Sequence, residues 1–217
     1  MKIFIDSGNI KDIEALVAIG IIEGVTTNPT LLAKEPGDYR ENLKKICQIV
    51  KGPVSGEVTA VDVAGMLQQG REIAKLDPHM IVKVPLTRAG IQACKTLSDE
   101  GIRVNVTLCF SAAQALLAAK AGATYISPFV GRLDDVGTNG MGLIQDIVEI
   151  YNNYDFTTEV LVASCRHPIH IIEAARMGAD IATCPPAVID QLFNHPLTNI
   201  GLEKFLKDWE QSQAVKA

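Results

Sequence analysis

Short runs of apolar, mostly β-branched residues alternate along the chain with longer segments whose apolar residues recur at helical spacing. The short runs predict β-strands centred on Ile3–Ser7, Gly24–Asn28, Val54–Val58, Ile81–Pro85, Arg103–Leu108, Thr124–Phe129, Val160–Ser164 and Asp180–Cys184. The longer segments predict helices at Asp12–Ala18, Tyr39–Val50, Val63–Leu76, Ala89–Ser98, Ser111–Lys120, Leu143–Tyr151, Ile169–Met177 and Ala187–Phe193. The alternation therefore predicts a series of eight strand–helix units.

Glycine follows three of the predicted helices and stands directly before the first apolar residue of the next segment. The pairs are Gly101-Ile102, Gly122-Ala123 and Gly178-Ala179. Glycine in this place is typical of a left-handed helix C-cap that leads the chain into a strand. The recurrence of this junction favours one βα unit repeated along the chain.

Polar residues stand in or at the end of successive predicted strands, and they discriminate between two folds. They are Asp6, Asn28, Glu57, Lys83, Asn105, Thr107, Ser127, Ser164 and Arg166. In an open doubly wound sheet the outer members would lie far apart, whereas in a closed barrel they meet at the C-terminal mouth, where such enzymes keep their sites. We therefore predict one α/β domain over residues 1–217, a (β/α)8 TIM barrel with an extra C-terminal helix at about 199–212.

Lys83 stands in the middle of an apolar run, Met80-Ile81-Val82-Lys83-Val84-Pro85-Leu86. The run predicts a strand that is buried on both faces, where an ammonium group meets no water. Lysine is almost never fully buried without a partner, and burial favours the neutral amine. Because a neutral amine attacks carbonyl carbons, the pattern points to Schiff-base chemistry. The alternative is that Lys83 ends an edge strand and extends to water.

Schiff-base chemistry requires groups that move protons, and neighbouring strands supply candidates. Glu57, on the preceding strand, is the natural acid and base, acting through a water that Thr107 also holds. Asp6 is placed to take the proton from the hydroxyl next to the cleaved bond, although it could instead be the N-cap of the first helix. Because the iminium is itself the electron sink, we predict no cofactor and no metal ion.

Other polar residues suit a phosphorylated sugar. Asn28 and Asn105 offer donors and acceptors to sugar hydroxyls. Arg132 and Arg166 are candidates for binding a phosphate group, to which Ser164 would add a hydrogen bond.

Composition narrows the choice of partner and location. The chain is 47% hydrophobic and 21% charged, as expected of a globular protein, and its net charge of −5 argues against nucleic-acid binding. The carboxylate of Asp6 comes too early for a secretory signal, and no stretch approaches about 18 uninterrupted apolar residues. We therefore expect a cytoplasmic protein with no membrane partner.

The cysteines and histidines offer weaker candidates for a functional site, namely a catalytic thiol and a metal site. The five cysteines are scattered, odd in number and without a CxxC pair, which favours reduced, packed thiols. Cys165 stands next to Arg166, which could activate a thiol. His167 and His170 are three residues apart and could in principle share a metal ion on a helix face, but Pro168 stands between them and no third histidine is nearby.

Four motifs, in chain order, closely resemble the transaldolase family. They are Val25-Thr26-Thr27-Asn28-Pro29, Ile81-Val82-Lys83-Val84-Pro85, Asn105-Val106-Thr107-Leu108 and Ser127-Pro128-Phe129-Val130-Gly131-Arg132. The match runs over essentially the whole chain, and the length resembles the small transaldolase subfamily, which also contains fructose-6-phosphate aldolases. The resemblance implies a (β/α)8 barrel with a Schiff-base lysine on the fourth strand.

The resemblance also implies a reaction in the non-oxidative pentose phosphate pathway. A dihydroxyacetone unit would pass from sedoheptulose 7-phosphate or fructose 6-phosphate to an aldose phosphate, glyceraldehyde 3-phosphate or erythrose 4-phosphate. By position, Lys83 would form the Schiff base while Asp6 and Glu57 handle protons. The donor site would be lined by Asn28, Asn105, Thr107 and Ser127, and the phosphate would be faced by Arg132, Ser164 and Arg166.

Two positions bear on the choice between the subfamily's activities. The aldolase relatives look to have glutamine where this chain has Glu57 and tyrosine where it has Phe129, so both residues are of the transaldolase kind. The alternatives are a fructose-6-phosphate aldolase, which releases dihydroxyacetone, and a non-catalytic sugar-phosphate-binding barrel.

The C-terminal segment carries one apolar stripe, formed by Leu202, Phe205, Leu206 and Trp209. This stripe could pack on its own barrel. Small members of the resembled family form ring-shaped assemblies, in which this helix reaches a neighbouring subunit. The resemblance thus implies a homo-oligomer, a pentamer or a decamer.

Overall fold

Eight parallel strands close into a barrel in which every strand pairs with its sequence neighbours and the last pairs with the first. The computed structural model describes the backbone of residues 1–216 and the side chains of residues 1–214. The strands are β1 Lys2–Asp6, β2 Gly24–Thr26, β3 Val54–Glu57, β4 Met80–Pro85, β5 Val104–Cys109, β6 Tyr125–Pro128, β7 Glu159–Val162 and β8 Ile181–Cys184. The (β/α)8 barrel, with its additional C-terminal helix, is confirmed.

Helices connect the strands and surround the barrel. They are α1 Ile10–Val17, α2 Pro29–Leu32, α3 Tyr39–Val50, α4 Val63–Ala74, α5 Arg88–Asp99, α6 Ala112–Lys120, α7 Val130–Asp134, α8 Gly140–Asn153, α9 Pro168–Met177, α10 Pro186–Gln191 and α11 Pro196–Lys216. The sequence pattern did not predict α2 and α7, which are short and lie at the mouth of the barrel. The C-terminal helix is longer than the predicted span at both ends.

The three glycine junctions adopt the predicted conformation. Gly101, Gly122 and Gly178 have φ angles of +78°, +83° and +84°. Glycine reaches this left-handed region without steric cost, so each junction ends its helix and turns the chain back towards the barrel.

The strands alternate between the barrel interior and the helical layer. Phe4, Ile81, Tyr125, Leu161 and Ile181 form an apolar cluster that fills the lower interior. The residues two positions further along these strands include Asp6 and Lys83, so polar groups form the layer above the cluster. The apolar cluster closes the base of the barrel and leaves the polar layer at its C-terminal mouth.

The apolar stripe of α11 is not buried on its own barrel. Leu202, Phe205, Leu206 and Trp209 are 57%, 71%, 55% and 64% exposed. Across residues 1–216, no helix is both long and apolar enough to cross a membrane.

Candidate active site

Lys83 is buried in the interior of the barrel, with 5% of its surface exposed. Its Nζ lies 2.9 Å from Glu57 Oε2 and donates a hydrogen bond of 3.0 Å to the carbonyl oxygen of Thr27. A closed barrel has no edge strand, so the Lys83 side chain cannot extend past a sheet edge to reach solvent. The structure therefore excludes the edge-strand alternative.

Strand register sets the spacing between Lys83 and its neighbours. Glu57 pairs with Lys83 across β3 and β4, and Lys83 pairs with Asn105 across β4 and β5. Residues opposite each other on paired parallel strands point to the same face, which here is the interior. The carboxylate and the amine are thus brought together by backbone pairing, and the carboxylate is placed to accept a proton from the amine.

Asp6 ends β1 and belongs to a small hydrogen-bonded network. Its Oδ1 accepts a 2.8 Å hydrogen bond from Thr26 Oγ1, which lies 2.6 Å from Thr183 Oγ1. Burial raises the pKa of the Asp6 carboxyl above its ordinary value, although the positive charge of Lys83 and the Thr26 hydrogen bond oppose this shift. The N-cap of α1 is Asn9, whose side chain accepts from Asp12 N, so Asp6 does not cap this helix.

Asn105 connects three strands beneath the mouth. Its Nδ2 donates to Ser55 Oγ at 3.1 Å, and its Oδ1 accepts from Ser127 Oγ at 2.8 Å. The residue is fully buried. Because its amide nitrogen and oxygen are both engaged, Asn105 fixes the positions of the two serines.

Thr107 presents a buried hydroxyl to the site. Its Oγ1 has no hydrogen-bond partner within the part of the chain that the structure describes, and the residue is 1% exposed. A buried hydroxyl without a partner costs free energy unless a ligand or water satisfies it. This group is therefore available to a small polar species beside Lys83.

One cavity of about 200 Å³ joins Lys83 to the residues expected to bind phosphate. The sequence-predicted residues on its wall are Asp6, Asn28, Lys83, Thr107, Ser127, Phe129, Arg132, Ser164 and Arg166. Asn105 lies behind the wall, and Glu57 borders an adjacent cavity of about 450 Å³. Nine of the eleven predicted residues thus meet at one cavity, which contains the buried amine of Lys83 and has the exposed Arg132 and Arg166 on its wall.

The two arginines are held by different partners. Arg166 Nη2 lies 2.8 Å from Asp135 Oδ2, while the guanidinium carbon of Arg132 lies 4.8 Å from the centroid of the Phe129 ring. Ser164, between β7 and α9, has a left-handed backbone with φ of +61°, which is uncommon for a residue other than glycine. The loop that carries Ser164 and Arg166 is therefore held in an unfavourable conformation by its surroundings.

Cys165 does not have the surroundings of a reactive thiol. A hydrogen bond with Cys184 and burial raise the pKa of the Cys165 thiol well above its ordinary value. The thiolate is the nucleophilic form, so these contacts oppose the cysteine alternative. The Nε2 atom of His170 lies 2.9 Å from Asp134 Oδ2, so this ring nitrogen is engaged with a carboxylate.

Comparison with known proteins gives the family of the chain. A family model described as transaldolase/fructose-6-phosphate aldolase matches residues 3–216. The chain belongs to this family. It is 59% identical over 211 residues to a protein named probable transaldolase from Anaeromyxobacter dehalogenans (strain 2CP-C), with 97% of each chain covered. Proteins of the same name from Kosmotoga olearia and Methanococcus maripaludis (strain C7) are 57% and 58% identical over 97% of this chain, covering 97% and 98% of their own lengths.

Membership of the transaldolase/fructose-6-phosphate aldolase family makes the chain an enzyme, and its site contains residues that the sequence reasoning missed. Thr26, Thr183 and Ser55 hold the polar layer together through their hydroxyls. His170 contacts Asp134 and accepts a hydrogen bond from the backbone N–H of Arg166. Only the period of two along β3 offered a signal, since it placed Ser55 on the face of Glu57; the other contacts join distant parts of the chain.

Proposed function

We propose that this enzyme is a transaldolase that transfers a dihydroxyacetone unit through an iminium on Lys83. The donor would be fructose 6-phosphate or sedoheptulose 7-phosphate, and the acceptor glyceraldehyde 3-phosphate or erythrose 4-phosphate, as in the non-oxidative pentose phosphate pathway. The observation that carries the proposal is one cavity that contains the buried Lys83, with Glu57 2.9 Å from its amine, and that has Arg132 and Arg166 on its wall. A ketose phosphate has its carbonyl and its phosphate at opposite ends, which suits this arrangement.

Formation of the iminium uses the contact between Lys83 and Glu57. Nζ first gives a proton to Glu57 and then attacks the ketone carbon, forming a C–N bond, while a second proton moves from nitrogen to the former carbonyl oxygen to give the carbinolamine. Glu57 then returns its proton to the carbinolamine hydroxyl, which leaves as water. A water held by Thr107 Oγ1 would connect the carboxylate with that hydroxyl, and the buried, unpartnered Oγ1 supports this route.

Carbon–carbon cleavage uses Asp6. Its carboxylate accepts the proton of the hydroxyl on C4, the bond between C3 and C4 breaks, and the electron pair moves to the iminium nitrogen. The products are an enamine on Lys83 and a free aldose phosphate. In the reverse direction the enamine attacks an acceptor aldehyde, Asp6 returns the proton, and water hydrolyses the new iminium to free the lysine.

The choice of transfer over release rests on Glu57 and Phe129. The Phe129 ring lines the cavity and offers no hydroxyl that could protonate the enamine or position the hydrolytic water. We propose that the enamine therefore persists until an aldehyde arrives. Fructose-6-phosphate aldolase activity is the second candidate, because the matching family model includes it.

Covalent trapping tests the proposal. Borohydride reduction in the presence of fructose 6-phosphate should add a dihydroxyacetone-derived mass to the peptide that contains Lys83. Lys83→Ala should lose the label and the activity, whereas Lys95→Ala, which changes an exposed lysine of α5, should keep both. Label on a different lysine would refute the mechanism. Free dihydroxyacetone in equal yield with and without erythrose 4-phosphate would instead favour the aldolase.

We also propose that the enzyme is a homo-oligomer, a pentamer or a decamer by resemblance to the small transaldolases. The support is the exposed stripe of Leu202, Phe205, Leu206 and Trp209 on α11. Solvent contact with such large apolar side chains is unfavourable, and a second copy would remove it. Light scattering after size exclusion should give the mass of an assembly, and a monomer of 23.4 kDa would contradict the proposal.

A further inference from the structure

His170 is a buried histidine on α9 that the proposed mechanism does not use. Its Nδ1 accepts a 3.2 Å hydrogen bond from the backbone N–H of Arg166, and its Nε2 lies 2.9 Å from Asp134 Oδ2. Because Nδ1 accepts, the ring proton sits on Nε2, which donates to the carboxylate. Both ring nitrogens are thus engaged, each with a different segment of the chain.

The two segments that His170 joins each carry an arginine of the cavity rim. Asp134 is the last residue of α7, which also contains Arg132. The other bond holds Arg166 by its backbone, in the loop between β7 and α9. Asp134 is itself anchored, because its Oδ1 accepts a 2.9 Å hydrogen bond from Gly140 N at the start of α8. The imidazole therefore lies in a chain of contacts from α8 through α7 to the Arg166 loop.

The loop between β7 and α9 has a strained backbone and packs closely against α7. Ser164 has the left-handed backbone described above, and its carbonyl oxygen accepts a 3.1 Å hydrogen bond from Gly131 N. Arg166 packs over Gly131, where a Cβ would lie 2.6 Å from Nε. A small movement of the loop relative to α7 would consequently change the separation of the two guanidinium groups.

We propose that His170 is a positioning residue that sets the spacing of Arg132 and Arg166 for the phosphate group of the substrate. The inference rests on the proposed function and deepens it, because it assigns the geometry of the phosphate end to a residue that contacts no substrate. Binding a tetrahedral phosphate with two arginines requires both guanidiniums at defined positions, and misplacement weakens charge-assisted hydrogen bonds steeply.

The surroundings of His170 keep it in the neutral form that this role requires. Burial and the nearby His167, whose ring centroid is 3.9 Å away, lower the pKa of His170, while Asp134 and Glu173 oppose the shift. A proton on Nδ1 would face the N–H of Arg166 and break that bond. The lowered pKa thus agrees with the observed hydrogen bonds.

Two conservative variants separate the two bonds. In His170→Asn the side-chain oxygen is placed near the former Nδ1 and can still accept from Arg166 N–H, but it cannot reach Asp134. In His170→Gln the amide can still donate to Asp134, but it leaves Arg166 N–H without its acceptor. His170→Ala removes both contacts, and His79→Ala, at a half-buried histidine before β4, is the matched control.

The readout compares phosphorylated with non-phosphorylated substrates. Each conservative variant should raise KM for fructose 6-phosphate about 5-fold, the equivalent of one lost hydrogen bond, and His170→Ala should raise it more, with kcat changed less than about twofold. Transfer of the dihydroxyacetone unit from unphosphorylated fructose to unphosphorylated erythrose should stay within about twofold of the parent. His79→Ala should match the parent with both substrate pairs. Equal losses on the two pairs in the conservative variants would overturn the positioning role.

Titration with inorganic phosphate separates this inference from the proposed function. Calorimetry of the parent enzyme measures phosphate binding at the arginine pair without any chemical step. If Lys83 is not labelled by borohydride but His170→Asn and His170→Gln weaken phosphate binding, the proposed reaction fails and the positioning role stands. If Lys83 is labelled and both variants bind phosphate as the parent does, the reaction stands and the positioning role is wrong.

Discussion

The guanidinium of Arg132 lies over the ring of Phe129, with 4.8 Å between Cζ and the ring centroid. The same ring meets Phe110 edge-on, with centroids 5.8 Å apart. A cation–π contact at a partly exposed site contributes about 0.5–1 kcal/mol and fixes the position of the guanidinium. In the proposed mechanism Phe129 therefore has two roles, since it borders the cavity that contains Lys83 and its ring also supports the guanidinium of Arg132.

Phe129→Tyr should increase the release of dihydroxyacetone from fructose 6-phosphate in the absence of an acceptor. The phenolic oxygen adds a group that can position water or protonate the enamine at nearly the same ring volume, and part of the transfer rate should be lost. Free dihydroxyacetone per enzyme, without any aldose phosphate, is the measurement. An unchanged yield would remove Phe129 from control of partitioning.

Phe129→Leu separates the support of Arg132 from the control of dihydroxyacetone release. Leucine lacks the ring face that holds Arg132, so KM for fructose 6-phosphate should rise about two- to fivefold without a gain in release. Phe129→Tyr retains a ring and should show no such rise. The measurement is KM for fructose 6-phosphate in the two variants, determined side by side by steady-state kinetics. Equal KM values would show that the ring does not support Arg132.

Glu57→Ala should reduce kcat by about 10²-fold or more, with little change in KM. Alanine has no group that can exchange a proton with Nζ of Lys83, which lies 2.9 Å from the carboxylate. The rate of iminium formation, followed by borohydride trapping at short times, should fall in parallel. A normal kcat would reassign Glu57 to a structural role.

Asp6 should determine an acidic limb in the pH profile of kcat. The proposed role requires the ionised carboxylate, and burial raises its pKa, so activity should begin to fall at a higher pH than an ordinary aspartate would give. Asp6→Asn should abolish most cleavage activity at every pH. An acidic limb at the position of an unperturbed aspartate would contradict the assignment.

Asp6→Asn should also stabilise the fold at neutral pH. A carboxyl whose folded pKa is raised favours folding fully only below its unfolded pKa, and that contribution is lost as pH rises through the folded pKa. Asparagine can still accept from Thr26 and carries no charge, so Tm at pH 7 should rise by about 2–4 °C for each kcal/mol recovered. The gain should shrink as pH falls towards the ordinary aspartate pKa. Asp146→Asn, on the exposed surface of α8, is the control and should show no such trend.

Gly131→Ala should weaken phosphate binding. An added Cβ would overlap Ser164 O and approach Arg166 Nε to 2.6 Å, so the loop must move away from α7. We expect a loss of about 1–3 kcal/mol in the free energy of unfolding and an increase in KM for phosphorylated substrates. Gly142→Ala is the matched control, because its nearest contact would be an ordinary 3.6 Å. Equal KM values for the two variants would refute the expected displacement.

The fold could be predicted largely because period and register are local properties of the chain. The apolar runs located all eight strands, and polar residues at their ends favoured a closed barrel, which the structure confirms. The helix α2 escaped prediction because it has four residues, too few to display a 3.6-residue period. It is set by Asn28, whose side chain caps it, and by Pro29 at its first position.

Part of the candidate site could likewise be predicted from the sequence, and part could not. Lys83 and Glu57 could be inferred from strand positions, since their contact follows from backbone pairing. The contacts of His170 could not, because they join α9 to α7 and to a loop through side-chain geometry that no spacing encodes. The pair His167 and His170 gave only a metal hypothesis, whereas the structure directs the buried ring of His170 towards Asp134.

The pairing of Glu57 with Lys83 and of Lys83 with Asn105 has a consequence for how such an enzyme can diversify. The distance between amine and carboxylate depends on hydrogen bonding within the barrel wall, whereas Arg132 and Arg166 lie on segments that follow the strands. Under the proposed mechanism, insertions or exchanges in those segments would change which aldehyde is accepted while the separation of Lys83 and Glu57 is kept. Under this mechanism the segments that follow the strands would determine the substrate range, and the paired strands would determine the bond chemistry. Each could then be altered while the other is held constant.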